Sequence, residues 1–224
     1  RRLFKNQTVL LAIGSILQHV QPNSVVWGSG IMDSNRKLAH KPKEVLAVRG
    51  PLTAKVLEEQ DIHVPKVYGD PALLYPQFYR PNCAKQYKLG IIPHRLEINS
   101  PLFDSFKRDP AIRIISVYTP INDFLDLICS CEAIASSSLH GLIAADAYGI
   151  PSTWVKFRDG TNAQSSFKYF DYFASLGYEN HIQPYYLDTT TRFIDLIKHA
   201  QPREVSINLD LLLNTLKEYI NRFY

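Results

Sequence analysis

The chain has 224 residues, room for one large domain or two small ones, domains of roughly 100–150 residues being typical. Its 46% apolar content supports an ordinary core, which excludes disorder as the default, and no apolar run reaches the ~18 residues of a membrane-spanning helix. A net charge of +4, scattered along the chain, suits an anionic small substrate as well as nucleic acid and decides neither.

The chain opens Arg1-Arg2-Leu3 with no methionine and no signal-peptide pattern, and its first apolar segment runs at once into Gly14-Ser15. We therefore expect an amino-terminal element to be missing. Val25-Val26-Trp27 reads as a strand ending in Gly28-Ser29-Gly30, and Val45-Leu46-Ala47-Val48 as a second ending in Arg49-Gly50. Pro51 then opens a helix to about Glu59, proline being tolerated at a first helical position. Val67-Tyr68 runs into Gly69-Asp70-Pro71. The segment from Leu74 to Asn82 carries two prolines and no periodicity, and reads as an interdomain linker. In the second half, a strand from Lys88 to Ile92 ends at Pro93-His94, and one from Ile112 to Val117 ends at Tyr118-Thr119-Pro120. A helix from Asp123 to Cys131 precedes the strand Ala133-Ile134-Ala135, and Thr153-Trp154-Val155 follows as another. This alternation predicts an α/β fold: two Rossmann-like parallel-sheet domains, residues 1–82 and 83–224, covered on both faces. The tail keeps a helical stripe of Leu209, Leu212, Leu213, Leu216, Ile220 and Phe223, expected as a docking helix that packs on one domain, the first included, or clasps both.

The most informative stretch is Ser136-Ser137-Ser138-Leu139-His140-Gly141, where a strand becomes a small-residue helix stopped by Gly149 and Pro151. The first N–H groups of a helix lack intrahelical partners, and its dipole favours a negative ligand there. Against this stands the plainer reading of one serine as an N-cap and His140 as a surface residue. In open α/β sheets, ligands bind beyond the carboxyl ends of the strands. Those ends carry Gly14-Ser15, Gly28-Ser29-Gly30, Arg49-Gly50, Gly69-Asp70-Pro71, Pro93-His94, Ser136 to His140, and Lys156 to Arg158. Glycines let backbone approach a ligand, and Asp70 is the one acid directly in these turns. Two facing glycine-rich and basic rims imply an anionic ligand in a cleft. The glycines form no GxGxxG fingerprint. Cys83, Cys129 and Cys131 are odd in number without CxxC spacing, which points to a reducing compartment and away from structural zinc. The seven histidines form no HxH or HExxH cluster, so no metal is expected. The aromatic run from Phe167 to Phe173 suits a helix buried on one face, with Tyr169 and Tyr172 left open for sugar stacking.

Six segments in register resemble the polysaccharide pyruvyl transferases, with the opening shared by the exopolysaccharide ketal-pyruvyltransferase branch. They are Ala12-Ile13-Gly14-Ser15-Ile16-Leu17, Val26-Trp27-Gly28-Ser29-Gly30, Val48-Arg49-Gly50-Pro51-Leu52-Thr53, Tyr68-Gly69-Asp70-Pro71-Ala72, Ile92-Pro93-His94 and Ser137-Ser138-Leu139-His140-Gly141. The resemblance implies a GT-B-like two-domain fold. It also implies transfer of pyruvyl from phosphoenolpyruvate to a sugar hydroxyl pair, with no cofactor. Carried over residue by residue, Arg49 falls on an arginine that binds the phosphoenolpyruvate anion, and Leu139 and His140 on a Leu-His pair near it. His140 and Arg49 are thus the expected catalytic pair. Gly14, Ser15, Gly28, Ser29, Gly30, Asp70, His94, Ser137, Ser138, Leu139, Lys156 and Arg158 are the expected substrate-binding residues. Ser138 stands where many relatives have arginine, a charge that Lys156 or Arg158 would supply. The family's usual glycine-rich opening is not visible. The implied acceptor is a surface or exopolysaccharide sugar, lipid-linked or nucleotide-linked, handled in the cytoplasm or at the inner membrane face. Two other readings share the fold: a GT-B glycosyltransferase using a nucleotide sugar, and a non-catalytic carbohydrate-binding relative. Nucleic acid is not expected as a partner, since the basic residues form no stripe.

Overall fold

The structure, a computed structural model, describes residues 7–157, 165–178 and 181–223. These fall into two compact units. Unit 1 holds residues 7–74, 165–178, 181–182 and 206–223; unit 2 holds 75–157 and 183–205. The division lies after Leu74, not at residue 82. The tyrosines of the supposed linker explain why: Tyr75 and Tyr79 pack into a core of unit 2, and the Tyr79 hydroxyl donates to Asp126 Oδ1 at 2.9 Å. The sequence division also assigns residues 165–182 to the second half, whereas they group with unit 1, and the tail groups with unit 1 as well.

Unit 1 is built on a parallel sheet of β1 (Val9–Leu11), β2 (Ser24–Trp27) and β3 (Glu44–Ala47), in that order. Val67-Tyr68, read as a strand, contributes one parallel bridge, Val48 to Tyr68. Helix α1 (Pro51–Glu58) starts at the expected proline. In unit 2, α2 (Tyr75–Phe78) precedes a five-stranded parallel sheet of β4 (Tyr87–Ile92), β5 (Ile112–Ile114), β6 (Cys131–Ser136), β7 (Ser152–Phe157) and β8 (Tyr185–Leu187). Its order is β5-β4-β6-β7-β8. Apolar strands buried on both faces are what a parallel sheet covered by helices requires.

Helix α3 (Ile121–Cys129) stops two residues earlier than expected, because Cys131 already opens β6. Helix α4 (Leu139–Ala147) follows β6; Gly149 ends it with φ +66°, and Ile150 N–H reaches back to the Ala145 carbonyl at 2.8 Å. In unit 2, α6 (Phe193–His199) follows β8; α5 (Phe167–Ser175) and α7 (Leu209–Asn221) belong to unit 1. Tyr169, Tyr172 and Phe173 of α5 are core residues, so neither tyrosine is open to a sugar. Helix α7 lays Leu212 and Tyr219 into a cluster with Val25, Trp27, Leu46 and Leu74. The stripe rotates at its end: Ile220 is 45% exposed and Phe223 lies beyond the helix. No helix among the described residues is long and apolar enough to cross a membrane.

Candidate functional site

The expected site residues fall into two groups, one at the carboxyl end of each sheet. In unit 1, Gly14, Ser15, Gly28, Ser29, Gly30, Arg49 and Asp70 all follow strand ends. The turns bind each other: Gly30 N–H and Ser29 Oγ both donate to the Gly14 carbonyl, at 3.0 and 2.8 Å, and Arg49 N–H donates to the Ser29 carbonyl at 3.1 Å. Asp70 Oδ1 accepts from Ala72 N–H at 3.0 Å and starts the short 3₁₀ turn Pro71–Leu74. Its role there is that of an ordinary turn-forming aspartate.

Arg49 departs most from expectation. Its side chain is 0% exposed and paired with Asp171 of α5, also 0% exposed. Nε donates to Asp171 Oδ2 at 2.9 Å, Nη1 to Ser15 Oγ at 2.6 Å and Nη2 to the Ile31 carbonyl at 2.9 Å. A guanidinium stays charged when buried and needs acceptors in a fixed fork, which this protein supplies from within. Asp171 also accepts from the Thr53 N–H and hydroxyl, at 2.8 and 2.6 Å. Its carboxylate therefore caps α1, whose own N-cap is Gly50 and has no side chain to offer. The glycines that seemed to make room for a ligand make room for this pair. A Cβ on Gly30 would overlap the Arg49 guanidinium, and one on Gly50 would overlap the backbone and carboxylate of Asp171. A Cβ on Gly28, at φ +82°, would strike Pro71.

In unit 2 the strand order reverses between β4 and β6: β4 leads outward to β5, and β6 leads the other way to β7. The carboxyl ends of two such strands flank a crevice, the usual ligand position in an open α/β sheet. His94 follows β4, while Ser137, Ser138, Leu139 and His140 follow β6. The two turns are tied together: Ser137 Oγ accepts from His94 N–H at 2.9 Å and donates to Glu97 Oε2 in a short contact. His94 Nδ1 accepts from Leu96 N–H at 3.3 Å, so the imidazole closes its own turn. Ser138 is the N-cap residue of α4 by backbone geometry, φ −99° and ψ 128°, but its side chain makes no capping bond. Ser136 Oγ does the local work instead, accepting from Ser138 N–H at 3.0 Å and lying 2.8 Å from the Ser138 carbonyl. Gly141 is required by this packing, since a Cβ there would overlap Ser136 Oγ and lie 3.0 Å from Ile92.

Leu139 is buried and His140, next along the first turn of α4, is half-buried. Lys156 sits near the end of β7 with its ammonium 6.0 Å from the centre of the Trp154 ring. Arg158 lies outside the described residues. Residues 1–157 match the family described as polysaccharide pyruvyl transferase. The chain belongs to that family. The chain is also similar to two curated proteins. Uncharacterized protein L143 of Acanthamoeba polyphaga mimivirus is 29% identical over 94% of this chain and 75% of its own length. The succinoglycan biosynthesis protein ExoV of Rhizobium meliloti is 29% identical over 87% of this chain. The aligned region spans 61% of the rhizobial protein's length. No solved structure matches the chain.

In this pyruvyl transferase family member, sequence reasoning missed two acids. Residue spacing gave no warning of Glu97, which lies in an ordinary turn after β4. Asp171 did leave a trace, as a carboxylate on the apolar face of an aromatic helix, where burial demands a partner. Among the described residues, no cluster of three or more His, Cys, Asp or Glu is placed to hold a metal ion. Burial pushes the Cys131 thiol up to about 12 and Cys129 to about 11, so neither is a thiolate near neutrality.

Proposed function

We propose that the chain is a ketal pyruvyltransferase, moving a pyruvyl group from phosphoenolpyruvate to a pair of hydroxyls on a polysaccharide sugar. One observation carries the reading: His140, half-buried on the first turn of α4, lies at the carboxyl end of the central strand of unit 2, at its point of strand reversal. Leu139 and His140 match the family's Leu-His pair, and the amide groups opening α4 suit a phosphate or carboxylate. Lys156, on the neighbouring strand, adds a positive charge.

His140 serves as the acid. It protonates the methylene carbon of phosphoenolpyruvate while a sugar hydroxyl adds to the adjacent carbon, and the proton that this hydroxyl sheds returns to His140. The bond from that carbon to the phosphate oxygen then breaks, and phosphate leaves with the electron pair. The second hydroxyl closes the ring, and its proton goes to the departing phosphate. The sum is diol plus phosphoenolpyruvate giving cyclic ketal plus phosphate. A positioned acid contributes roughly 10²–10⁴-fold.

Calorimetric titration with phosphoenolpyruvate and with UDP, followed by phosphate release over a panel of oligosaccharide acceptors, tests the reading. His140→Asn is expected to keep phosphoenolpyruvate affinity within a few fold and to lose roughly 10²–10⁴-fold in phosphate release. Binding of UDP without phosphoenolpyruvate points instead to a nucleotide-sugar transferase. An undiminished rate in His140→Asn removes the acid from the mechanism.

A further inference from the structure

We infer that Glu97 is a positioning residue for the transfer, acting through Ser137 to hold the first turn of α4, and His140 on it, in place beside the end of β4. The transfer itself rests on the pyruvyl-transfer reading; the link from Glu97 to α4 does not.

A carboxylate taken out of water costs free energy unless hydrogen bonds replace the water it loses. Glu97 is 7% exposed, in the turn that follows β4. Its amide donates to the His94 carbonyl at 2.8 Å and its carbonyl accepts from Ser100 N–H at 2.9 Å, so the backbone closes this turn without the side chain. The side chain serves a different link. Oε2 accepts the proton of the Ser137 hydroxyl, 40 residues away, and accepts from His94 N–H at 3.3 Å; the same N–H donates to Ser137 Oγ at 2.9 Å. A hydrogen bond to an ionised acceptor is roughly twice as strong as one between neutral groups.

Where that bond lies decides what it does. The ladder between β4 and β6 runs to the Ile92–Ser136 pair, where the Ile92 carbonyl accepts from Ser137 N–H at 3.1 Å. Beyond it the two turns are linked through side chains, with Ser137 Oγ in the middle and Glu97 on its far side. Ser138 follows with extended backbone, and its carbonyl accepts from Gly141 N–H at 3.1 Å and Leu142 N–H at 3.3 Å. Those two bonds close the first turn of α4, which carries His140. A displacement of Ser137 is therefore passed through one residue to the imidazole. Misplacing a reacting group by about 1 Å can cost about 10²-fold in rate. Glu97 acts at one remove from the chemistry, so its loss is felt more in the rate than in donor affinity.

Glu97→Ala cuts the link, while Glu97→Gln keeps an acceptor oxygen of the same reach without the charge. The test measures phosphate release over the acceptor panel, calorimetric affinity for phosphoenolpyruvate and ligand-free ¹H–¹⁵N spectra in both variants, alone and combined with Ser137→Ala. Glu97→Ala is expected to slow release about ten- to hundredfold while affinity stays within about threefold. Glu97→Gln is expected to recover to within about fivefold of the native rate. Added to Ser137→Ala, either substitution is expected to cost no more than about twofold further, because the bond it removes is already gone. In the ligand-free spectra both Glu97 variants are expected to shift the amides of Leu139, His140 and Gly141. A native rate in Glu97→Ala overturns the proposal, as do equal losses of rate and affinity, or losses that multiply in the double variants. So do Glu97 spectra whose shifts stop within residues 93–100. If Glu97→Ala does not fold, Glu97→Gln with and without Ser137→Ala decides. If the native protein releases no phosphate with any acceptor, the pyruvyl-donor reading fails, and the ligand-free spectra still decide the link.

Discussion

Arg49 and Arg203 are buried in different units, each against one aspartate. Arg203 Nε and Nη2 reach Asp146 at 3.0 and 2.8 Å, and Nη1 donates to the Ser152 carbonyl at 3.2 Å. The pair joins the segment after α6 to the end of α4 and the start of β7. Arginine cannot shed its charge in such a place, so it comes with a matched carboxylate. A thiol has the other option and stays neutral. Cys131 opens β6 with its pKa raised to about 12 by burial, against roughly 8.5 in an unfolded chain. A raised folded value means that the native state holds the proton longer. The stability this thiol contributes is therefore complete below about pH 8.5 and is lost as pH rises toward about 12. Urea midpoints measured from pH 7.5 to 10.5 are expected to fall more steeply in the native protein than in Cys131→Ala. In the same samples Ellman's reagent should modify Cys131 only after unfolding. Equal slopes, or labelling of Cys131 in folded protein at neutral pH, would contradict this account.

At the scale of elements, the tie between the turns after β4 and β6 decides how α4 is presented. Ser137 is its knot, taking the His94 amide and giving its own proton to Glu97. Ser137→Ala removes both links at once and takes a donor from a buried carboxylate, a loss of about 1–3 kcal/mol. Because the turn carries His140 with it, the expected loss in phosphate release exceeds the loss in phosphoenolpyruvate affinity, with Ser137→Thr restoring most of both. An Ala variant as active as the native protein would mean that His140 is held by α4 packing alone. Local elements of this kind were largely legible beforehand. Proline at the start of α1 and Gly149 at the end of α4 act within one turn of the backbone they shape, and apolar strands announce themselves. What stayed hidden were partners distant in sequence. Ser137 and Glu97 are 40 residues apart, and Arg49 and Asp171 are 122 apart. A sequence window sees Arg49 after a strand and cannot see the carboxylate already resting on it. For the same reason Pro76 and Pro81 suggested a linker, while the anchoring of Tyr79 depended on Asp126 of α3, 47 residues on.

For the whole molecule, the consequence is that unit 1 is assembled from three stretches of chain and its core closes only when the last arrives. Trp27 donates its indole N–H to the Leu212 carbonyl of α7 at 2.8 Å, 185 residues away. Leu212 is fully buried among Val25, Trp27, Leu46, Ala47, Leu74 and Tyr219, all residues of unit 1. The cores around β4 and β6 draw on unit 2 alone. The sequence contains two tryptophans, and they divide between the units, Trp27 in β2 and Trp154 in β7. Each unit thus carries its own optical reporter. Leu212→Ala should cost about 2–5 kcal/mol, the range for emptying a fully buried leucine site. Introduced into Trp154→Phe protein, it is expected to lower the urea midpoint read by Trp27 and to shift its emission to the red. Introduced into Trp27→Phe protein, it should leave the Trp154 midpoint nearly in place, because Leu212 belongs to the core of unit 1 and Trp154 to unit 2. Equal displacement of both midpoints would show that the units unfold as one cooperative body, and that α7 stabilises the whole chain through unit 1.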